Sequence, residues 1–69
     1  MISYKPLFKL LLERDLKKTD LKKIIGLSSS TLAKMSKSEY ISLKIIDDIC
    51  KELNCEISDV IEYIPDLPD

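Results

Sequence analysis

Histidine is absent from the sequence, and glycine occurs once, at Gly26. Without histidine the commonest general base is missing, and one glycine cannot supply a glycine-rich loop that binds phosphate. The chain also lacks a recognisable nucleophile motif and a pair of carboxylates arranged for acid–base chemistry. We therefore expect no enzymatic activity, no cofactor and no small-molecule substrate.

Cysteine is nearly as scarce, with Cys50 and Cys55 as the two thiols. Two thiols without histidine do not make up the four ligands of a structural zinc site, so we predict no bound metal. We interpret both residues as small buried hydrophobic side chains. A disulfide is disfavoured in a reducing compartment, and a redox sensor would need an exposed thiol of low pKa.

Long apolar runs are missing as well. No stretch approaches the roughly 18 apolar residues that a membrane-spanning helix requires, and the first residues do not follow the order of a signal peptide. We therefore predict a cytoplasmic protein. The 69 residues, of which 45% are hydrophobic, can build one small core, and a core of this size favours a compact helical bundle or a dimer.

Charge is divided unevenly between the two halves of the chain, although the net charge is −1. Residues 1–37 carry nine basic side chains and three acidic ones, which gives +6. Residues 38–69 carry two basic side chains and nine acidic ones, which gives −7. Such a distribution gives the molecule one basic side, which favours a polyanionic partner. Ordinary solvated helix faces are the alternative interpretation.

The spacing of apolar residues predicts short helices and no strand of any length. The first helix covers about residues 5–14, with Pro6 in its first turn. The second covers about residues 18–25 and ends at Gly26, which is suited to a left-handed cap. The third covers about residues 29–36 and begins after Ser28, whose side chain can cap it.

Two further helices are predicted in the acidic half. Ser42 is the expected cap of the fourth helix, and Asn54 is its expected end. Ser58 is the expected cap of a short fifth helix that contains Val60 and Ile61. The sequence thus predicts an all-α protein, a compact five-helix bundle.

The segment GLSSSTLAKM, residues 26–35, has more hydroxyl groups than one helix cap needs. On a helix with about 100° between residues, Leu32 and Met35 face the core, and five other side chains share an arc of roughly 140° on the opposite side. These five are Ser29, Ser30, Ala33, Lys34 and Lys37. Serine can bond base edges, alanine can contact a thymine methyl group, and lysine can reach guanine or phosphate. This face therefore suits the major groove of DNA, and two short helices around a glycine turn form a helix-turn-helix unit, about residues 18–36.

Residues from about 4 to 65 resemble the Cro/CI-type (XRE-type) helix-turn-helix regulators, and they look closest to the small single-domain branch of that family. The resemblance is carried by KKTDLKKIIGLSSSTLAKMSK and by ISLKIIDDICKELNCEISDVIEYIPD. It implies a lambda-repressor-like five-helix bundle, with a single domain over residues 1–69 and a short tail at 65–69. It also implies a transcriptional regulator that binds double-stranded DNA.

The resemblance assigns roles to individual residues. The base-reading positions of the recognition helix fall on Ser29, Ser30 and Lys34. Candidates for contacts to the DNA backbone are Lys18, Ser28, Lys37, Lys17 and Lys22. Two positions depart from the family pattern: Asp15 replaces a glycine that many members have, and Leu11 replaces an arginine of many larger members. Glu39 is an acid near the expected phosphates, and it should weaken binding.

We therefore expect a sequence-specific DNA-binding transcriptional regulator, repressor-like in action, whose third helix enters the major groove. The alternative is a protein-interaction module with the same fold, such as an antitoxin or an anti-repressor subunit. The acidic C-terminal half is compatible with that alternative. Binding to random duplex DNA at two salt concentrations would separate the two hypotheses.

The first predicted helix carries more apolar surface than its core stripe needs. Phe8 and Leu12 form an i, i+4 pair on its flank, and Tyr63, Ile64 and Leu67 offer apolar groups in the tail. The tail can fold back over this pair in its own chain, or the pair can form an interface with a second copy. We expect a homodimer with Phe8, Leu12 and the C-terminal tail near its interface.

Overall fold

The computed structural model describes residues 1–65 and places four α-helices and a two-stranded sheet in this part of the chain. In chain order the elements are β1 (Ile2–Ser3), α1 (Lys5–Glu13), α2 (Lys18–Ile25), α3 (Ser29–Ser36), α4 (Leu43–Leu53), one 3₁₀ turn (Ile57–Asp59) and β2 (Glu62–Tyr63). The predicted bounds of the second and third helices are confirmed, and α1 ends one residue earlier than predicted. No helix among these residues is long and apolar enough to cross a membrane.

Both predicted serine caps form at the starts of α3 and α4. The Oγ of Ser28 accepts the backbone N–H of Thr31 at 3.1 Å, and the Oγ of Ser42 accepts that of Ile45 at 3.3 Å. These bonds satisfy amides that have no partner inside the helix. The starts of both helices are therefore determined by residues next to them in the sequence.

Left-handed residues end two of the helices. Gly26 ends α2 with φ of 78°, and Asn54 ends α4 with φ of 50°, as predicted. Asp15, which stands where the family resemblance leads one to expect glycine, also has a positive φ, of 57°. The turn between α1 and α2 therefore keeps the left-handed conformation without glycine, and aspartate tolerates this region better than most residues do.

The prediction of a fifth helix is wrong, and so is the prediction that the chain has no strand. Ser58 does not cap a helix, because the chain makes a single 3₁₀ turn in which the Asp59 carboxylate accepts the N–H of Glu56 at 3.0 Å. The chain then becomes extended, and Glu62–Tyr63 pairs antiparallel with Ile2–Ser3. The expected five-helix bundle is thus a four-helix fold closed by a small sheet.

The sheet replaces the fifth helix because the two ends of the described chain meet. The N–H of Ile64 donates to the carbonyl of Met1 at 2.8 Å, and the amino terminus of Met1 donates to the carbonyl of Ile64 at 2.7 Å. A helix here would be short, with a costly first turn, and Pro65 would end it. Pairing with β1 satisfies the same backbone groups without that cost.

The core draws one or more side chains from every helix and from the C-terminal segment. Five of its side chains have no exposed surface: Leu7, Leu21, Met35, Ile49 and Val60. Tyr4 is also buried, and its hydroxyl donates to the carbonyl of Glu39 at 2.6 Å. This bond ties the N-terminal segment to the loop that follows α3, and so it holds the far end of α3 against the core.

Cys50 and Cys55 are free thiols that pack against the core, but they are half-buried and so less buried than predicted. Burial raises the pKa of the Cys55 thiol, and the neighbouring Cys50 adds to the rise. A reactive sensor thiol needs the opposite shift. Within residues 1–65 no group of three or more histidine, cysteine, aspartate or glutamate side chains could hold a metal ion.

Ser38 occupies the left-handed region after α3, with φ of 58°. The N–H of Glu39 donates to the Lys34 carbonyl at 2.9 Å, as in helix ends that glycine usually forms. We expect Ser38→Gly to raise the free energy of unfolding by about 0.5–1 kcal/mol, because the relieved strain exceeds the chain entropy that glycine adds. Chemical denaturation measures this difference.

Gly26→Ala is the converse control for Ser38→Gly. Among residues 1–65, a Cβ at Gly26 would meet no heavy atom within 4 Å other than those of its two chain neighbours, so its φ of 78° is what opposes the change. We expect this variant to lose about 1 kcal/mol of stability. If Ser38→Gly also lowered stability, the prediction would be wrong, and the hydroxyl of Ser38 would matter more than its backbone conformation.

Candidate nucleic-acid interface

The two faces of α3 differ as the helical spacing predicts. Met35 has no exposed surface and Leu32 is half-buried, so this side of α3 packs on the core. The opposite face is exposed along its whole length, and it consists of Ser29, Ser30, Ala33, Lys34 and Lys37. The face carries two positive charges, no acid and no bulky apolar side chain, so a polyanion can approach it closely.

The surplus hydroxyls at the start of α3 form a cluster around the cap. The Oγ of Ser28 lies 3.0 Å from that of Ser30 and 2.9 Å from Oγ1 of Thr31. Thr31 is half-buried and Ser30 is exposed. One hydroxyl therefore caps the helix, a second supports the cap from the inner side, and Ser30 remains accessible from the solvent.

Two lysines of α2 reach across to α3. The Nζ of Lys22 donates to the Oγ of Ser29 at 2.7 Å, and the Nζ of Lys18 donates to the Oγ of Ser36 at 3.4 Å. Lys18 and Lys22 are one helical turn apart, so both lie on the same side of α2. The two helices thus form a continuous basic and hydroxyl-rich surface.

Lys18 is held by a second contact. Its Nζ lies 4.3 Å from the centre of the Phe8 ring in α1. A cation over the face of an aromatic ring is attracted by the ring's electrons. Lys18, at the first position of α2, is therefore oriented by both α1 and α3, while its side chain stays exposed.

The N-termini of α2 and α3 differ in what they offer an anion. At α2 the carboxylate of Asp20 already accepts the N–H of Lys17 at 2.8 Å, and its negative charge opposes a phosphate there. The first turn of α3 has no acid. Among residues 1–65 the amides of Ser29 and Ser30 have no acceptor, so the start of α3 is the more favourable phosphate position.

The basic side chains of residues 1–37 have no acidic partner in the described part of the chain. Within residues 1–65 the one ion pair joins Lys44 and Asp48 in α4, at 3.2 Å. Arg14 is different from the lysines, because its guanidinium donates to the carbonyl of Leu53 at the end of α4. Arg14 therefore stabilises the fold, and the lysines around α2 and α3 remain available to phosphates.

The structure brings together some of the predicted site residues and leaves others apart. Two pairs are in contact, Lys22 with Ser29 and Ser28 with Ser30. Three predicted lysines make no side-chain hydrogen bond within residues 1–65: Lys17, Lys34 and Lys37. Sequence reasoning missed Ser36, which contacts Lys18. The signal was its spacing of seven residues from Ser29, which places both serines on the same side of α3.

The apolar flank of α1 is exposed, and Tyr63 and Ile64 do not line the groove beside it. Leu12 is 79% exposed, whereas Phe8 packs partly against the core. Both border a groove of about 250 Å³, which within residues 1–65 is lined by Phe8, Leu11, Leu12, Leu16, Lys17 and Lys18. Tyr63 pairs with Ile2 instead of covering α1, and Leu67 lies outside the described residues.

Comparison with known proteins agrees with this geometry. Residues 7–66 match the family model of the Cro/C1-type helix-turn-helix DNA-binding domain. The fold is also similar to the crystal structure of the transcriptional regulator VanUg in its Form II, with a TM-score of 0.91 and 46% sequence identity. That alignment covers 94% of this chain and 87% of the other. No curated protein matches the sequence.

Proposed function

Because this chain belongs to the family of Cro/C1-type helix-turn-helix DNA-binding domains, we propose that it is a sequence-specific, repressor-like regulator of transcription. In this proposal α3 enters the major groove, and Ser29, Ser30 and Lys34 contact base edges. The observation that carries the proposal is the exposed face of α3, which holds small polar and basic side chains and no acid. The similarity to VanUg, a transcriptional regulator, supports the regulatory role.

Contacts to the DNA backbone supply much of the affinity in this proposal, and contacts to base edges supply the sequence preference. The backbone contacts are assigned to Lys18, Ser28, Lys37, Lys17 and Lys22. Ser28 contributes through the amides that follow it, because its hydroxyl already caps α3. Lys18 is held in place by Phe8 and Ser36, so less side-chain entropy is lost when it meets a phosphate.

The salt dependence of DNA binding tests this proposal. Each neutralised phosphate contributes about −0.9 to the slope of log affinity against log salt concentration. We expect Lys18→Gln to make that slope shallower by about one unit. Titration of a duplex with wild type and variant at several salt concentrations, followed by fluorescence anisotropy, gives both slopes.

Lys44→Gln is the matched control for the salt experiment. Lys44 lies in α4 and is paired with Asp48, so its replacement should leave the slope unchanged. A flat salt response of the wild-type chain would contradict the proposal. That result would favour the protein-interaction module, such as an antitoxin or an anti-repressor subunit, for which the acidic half would be the contact surface.

A homodimer is part of the proposed function. Exposed contiguous apolar surface marks contact sites, and Leu12 is 79% exposed beside the groove that Phe8 lines. Tyr63, in β2, is 70% exposed and provides a second apolar group. Two copies on neighbouring half-sites would double the contacts made by short reading side chains such as Ser29 and Ser30.

We expect the wild-type chain to show a monomer–dimer equilibrium and Leu12→Lys to raise the dissociation constant at least about tenfold, because a charge replaces an interface side chain. Sedimentation equilibrium measures both. Leu43→Lys is the control, since Leu43 is 73% exposed in α4 and does not line the groove beside Leu12. A wild-type chain that stays monomeric at high micromolar concentration, both free and on DNA, would rule out the dimer.

A further inference from the structure

The hydrogen bond between Lys22 and Ser29 has a fixed direction. Lys22 Nζ lies 2.7 Å from Ser29 Oγ. A lysine ammonium has donors and no acceptor, so the serine oxygen accepts and the hydroxyl proton must point elsewhere. Ser29 Oγ has no other partner among residues 1–65, and Ser29 is exposed. Its proton is therefore available to a group in front of α3.

Ser30 does not have this constraint. Its Oγ lies 3.0 Å from Ser28 Oγ, and either oxygen can donate. The Ser28 oxygen also accepts the Thr31 N–H and contacts the Thr31 hydroxyl, so the protons in this cluster can be arranged in more than one way. Ser30 can therefore meet either a donor or an acceptor, whereas Ser29, beside a positive charge, favours acceptors.

Lys22 and Ser29 together present two adjacent donors. Lys22 is half-buried, and its bond to Ser29 holds the ammonium beside the first turn of α3. One proton of the ammonium is used in that bond, and the others remain. The hydroxyl proton of Ser29 lies next to them, and the positive charge makes it a stronger donor.

Guanine is the base whose major-groove edge matches two adjacent donors. It presents two acceptors, O6 and N7, side by side. Adenine presents an amino donor beside N7, cytosine presents an amino donor, and thymine presents one acceptor beside a methyl group. A lysine and a serine that both donate would therefore bind guanine better than any other base.

We propose that Lys22 and Ser29 act as a donor pair that selects guanine at one position of the binding site. The proposal rests on the proposed role of α3 as the recognition helix. It goes further by naming the base and by assigning Lys22 to base reading instead of to the DNA backbone.

Selection from a random duplex pool with the wild-type chain tests the donor pair, because it gives the base preference at each position of the site. We expect one position to be strongly enriched in guanine. Lys22→Met keeps the length of the side chain and removes its donors, so it should reduce the preference for guanine over adenine there about tenfold. Competition binding with duplexes that differ at this base pair measures the preference.

Ser29→Ala provides a second, independent variant at an exposed position. It should reduce the preference for guanine at the same base pair. The double variant, Lys22→Met with Ser29→Ala, should show a preference for guanine only slightly weaker than that of either single variant, because both donors act on one base. Lys22→Arg keeps the donors and should keep the preference. Lys23→Met is the matched control, since Lys23 is the adjacent exposed lysine and has no side-chain bond within residues 1–65.

A modified base completes the experiment. Replacing the selected guanine by 7-deazaguanine removes the N7 acceptor, which should weaken binding of the wild-type chain and leave binding of the double variant, which lacks both donors, unchanged. Thermal melting establishes that each variant is folded under the binding conditions.

Three results would overturn the donor pair. If Lys22→Met weakened binding to all sequences equally and made the slope of log affinity against log salt concentration shallower, Lys22 would contact a phosphate. The proposed regulatory function would then stand. If a selected site had no guanine position that responds to either variant, the donor pair would also be wrong while the proposed function stood. If the wild-type chain enriched no sequence and bound no DNA, the proposed function and the donor pair would fail together.

Discussion

We expect Ser30→Glu to abolish nearly all DNA binding, with a loss of more than about 3 kcal/mol, because a base contact is replaced by a negative charge that faces phosphates. Ser30 is exposed in the first turn of α3. It does not supply the cap, since the N–H of Thr31 donates to Ser28. Fluorescence anisotropy with a labelled duplex measures the affinity.

The same substitution should leave the fold intact. A negative charge in the first turn of a helix is favourable, by about 0.3–1 kcal/mol, because it faces the positive end of the helix dipole. We therefore expect Ser30→Glu to be at least as stable as the wild type in chemical denaturation. Stability and DNA binding would then change in opposite directions, which a general disruption of the domain cannot produce.

Ser30→Gln separates the charge from the size of the new side chain. It has nearly the same shape as Ser30→Glu and no charge, so it should retain much of the affinity. Lys34→Ala should weaken specific binding by about 1–3 kcal/mol if Lys34 contacts a guanine. Wild-type affinity in Ser30→Glu would contradict the assignment of α3 as the recognition helix.

We expect Ile49→Ala to lower the free energy of unfolding by about 2–5 kcal/mol, because Ile49 has no exposed surface and its truncation leaves a cavity in the core. In a domain of this size each kcal/mol corresponds to about 4–8 °C in the melting temperature. The loss is a large part of the total stability, which is about 0.05–0.15 kcal/mol per residue. Thermal and chemical unfolding measure it.

Ile57→Ala is the matched control, since Ile57 is 53% exposed in the 3₁₀ turn. This substitution should lower the free energy of unfolding by no more than about 0.5 kcal/mol. Ile49 lies in α4, outside the helix-turn-helix unit, so Ile49→Ala should bind DNA like the wild type once the affinity is corrected for the folded fraction. A lower affinity of the folded molecules would show that α4 affects DNA binding directly.

Much of the helix-turn-helix unit could be predicted from the sequence, because its signals are local. Gly26 ends α2 and Ser28 caps α3, and both act on neighbours no more than four residues away. The spacing of Leu32 and Met35 indicated which side of α3 packs on the core. The exposed face of α3 followed directly from that, since it consists of the remaining side chains.

The C-terminal segment could not be predicted in the same way. A serine at position 58 ahead of the apolar pair of Val60 and Ile61 is typical of the start of a short helix, but the chain makes one 3₁₀ turn and continues into β2. Its partner, β1, is at the other end of the described chain. Local preference for a helix is weak over so few residues, so a distant strand outweighs it.

The sequence by itself determined the four α-helices, the uneven charge and the composition of the exposed face of α3, because periodicity and capping act within one or two helical turns. Only the tertiary structure decided which lysine meets which serine, since Lys22 and Ser29 are seven residues apart and Lys18 and Ser36 are 18 apart, on different helices. It also decided that Met1 and Ile64, 63 residues apart, close a sheet. The physical reason is that these contacts depend on how the helices pack and on where residues 1–3 meet residues 62–64, and no local pattern contains that information.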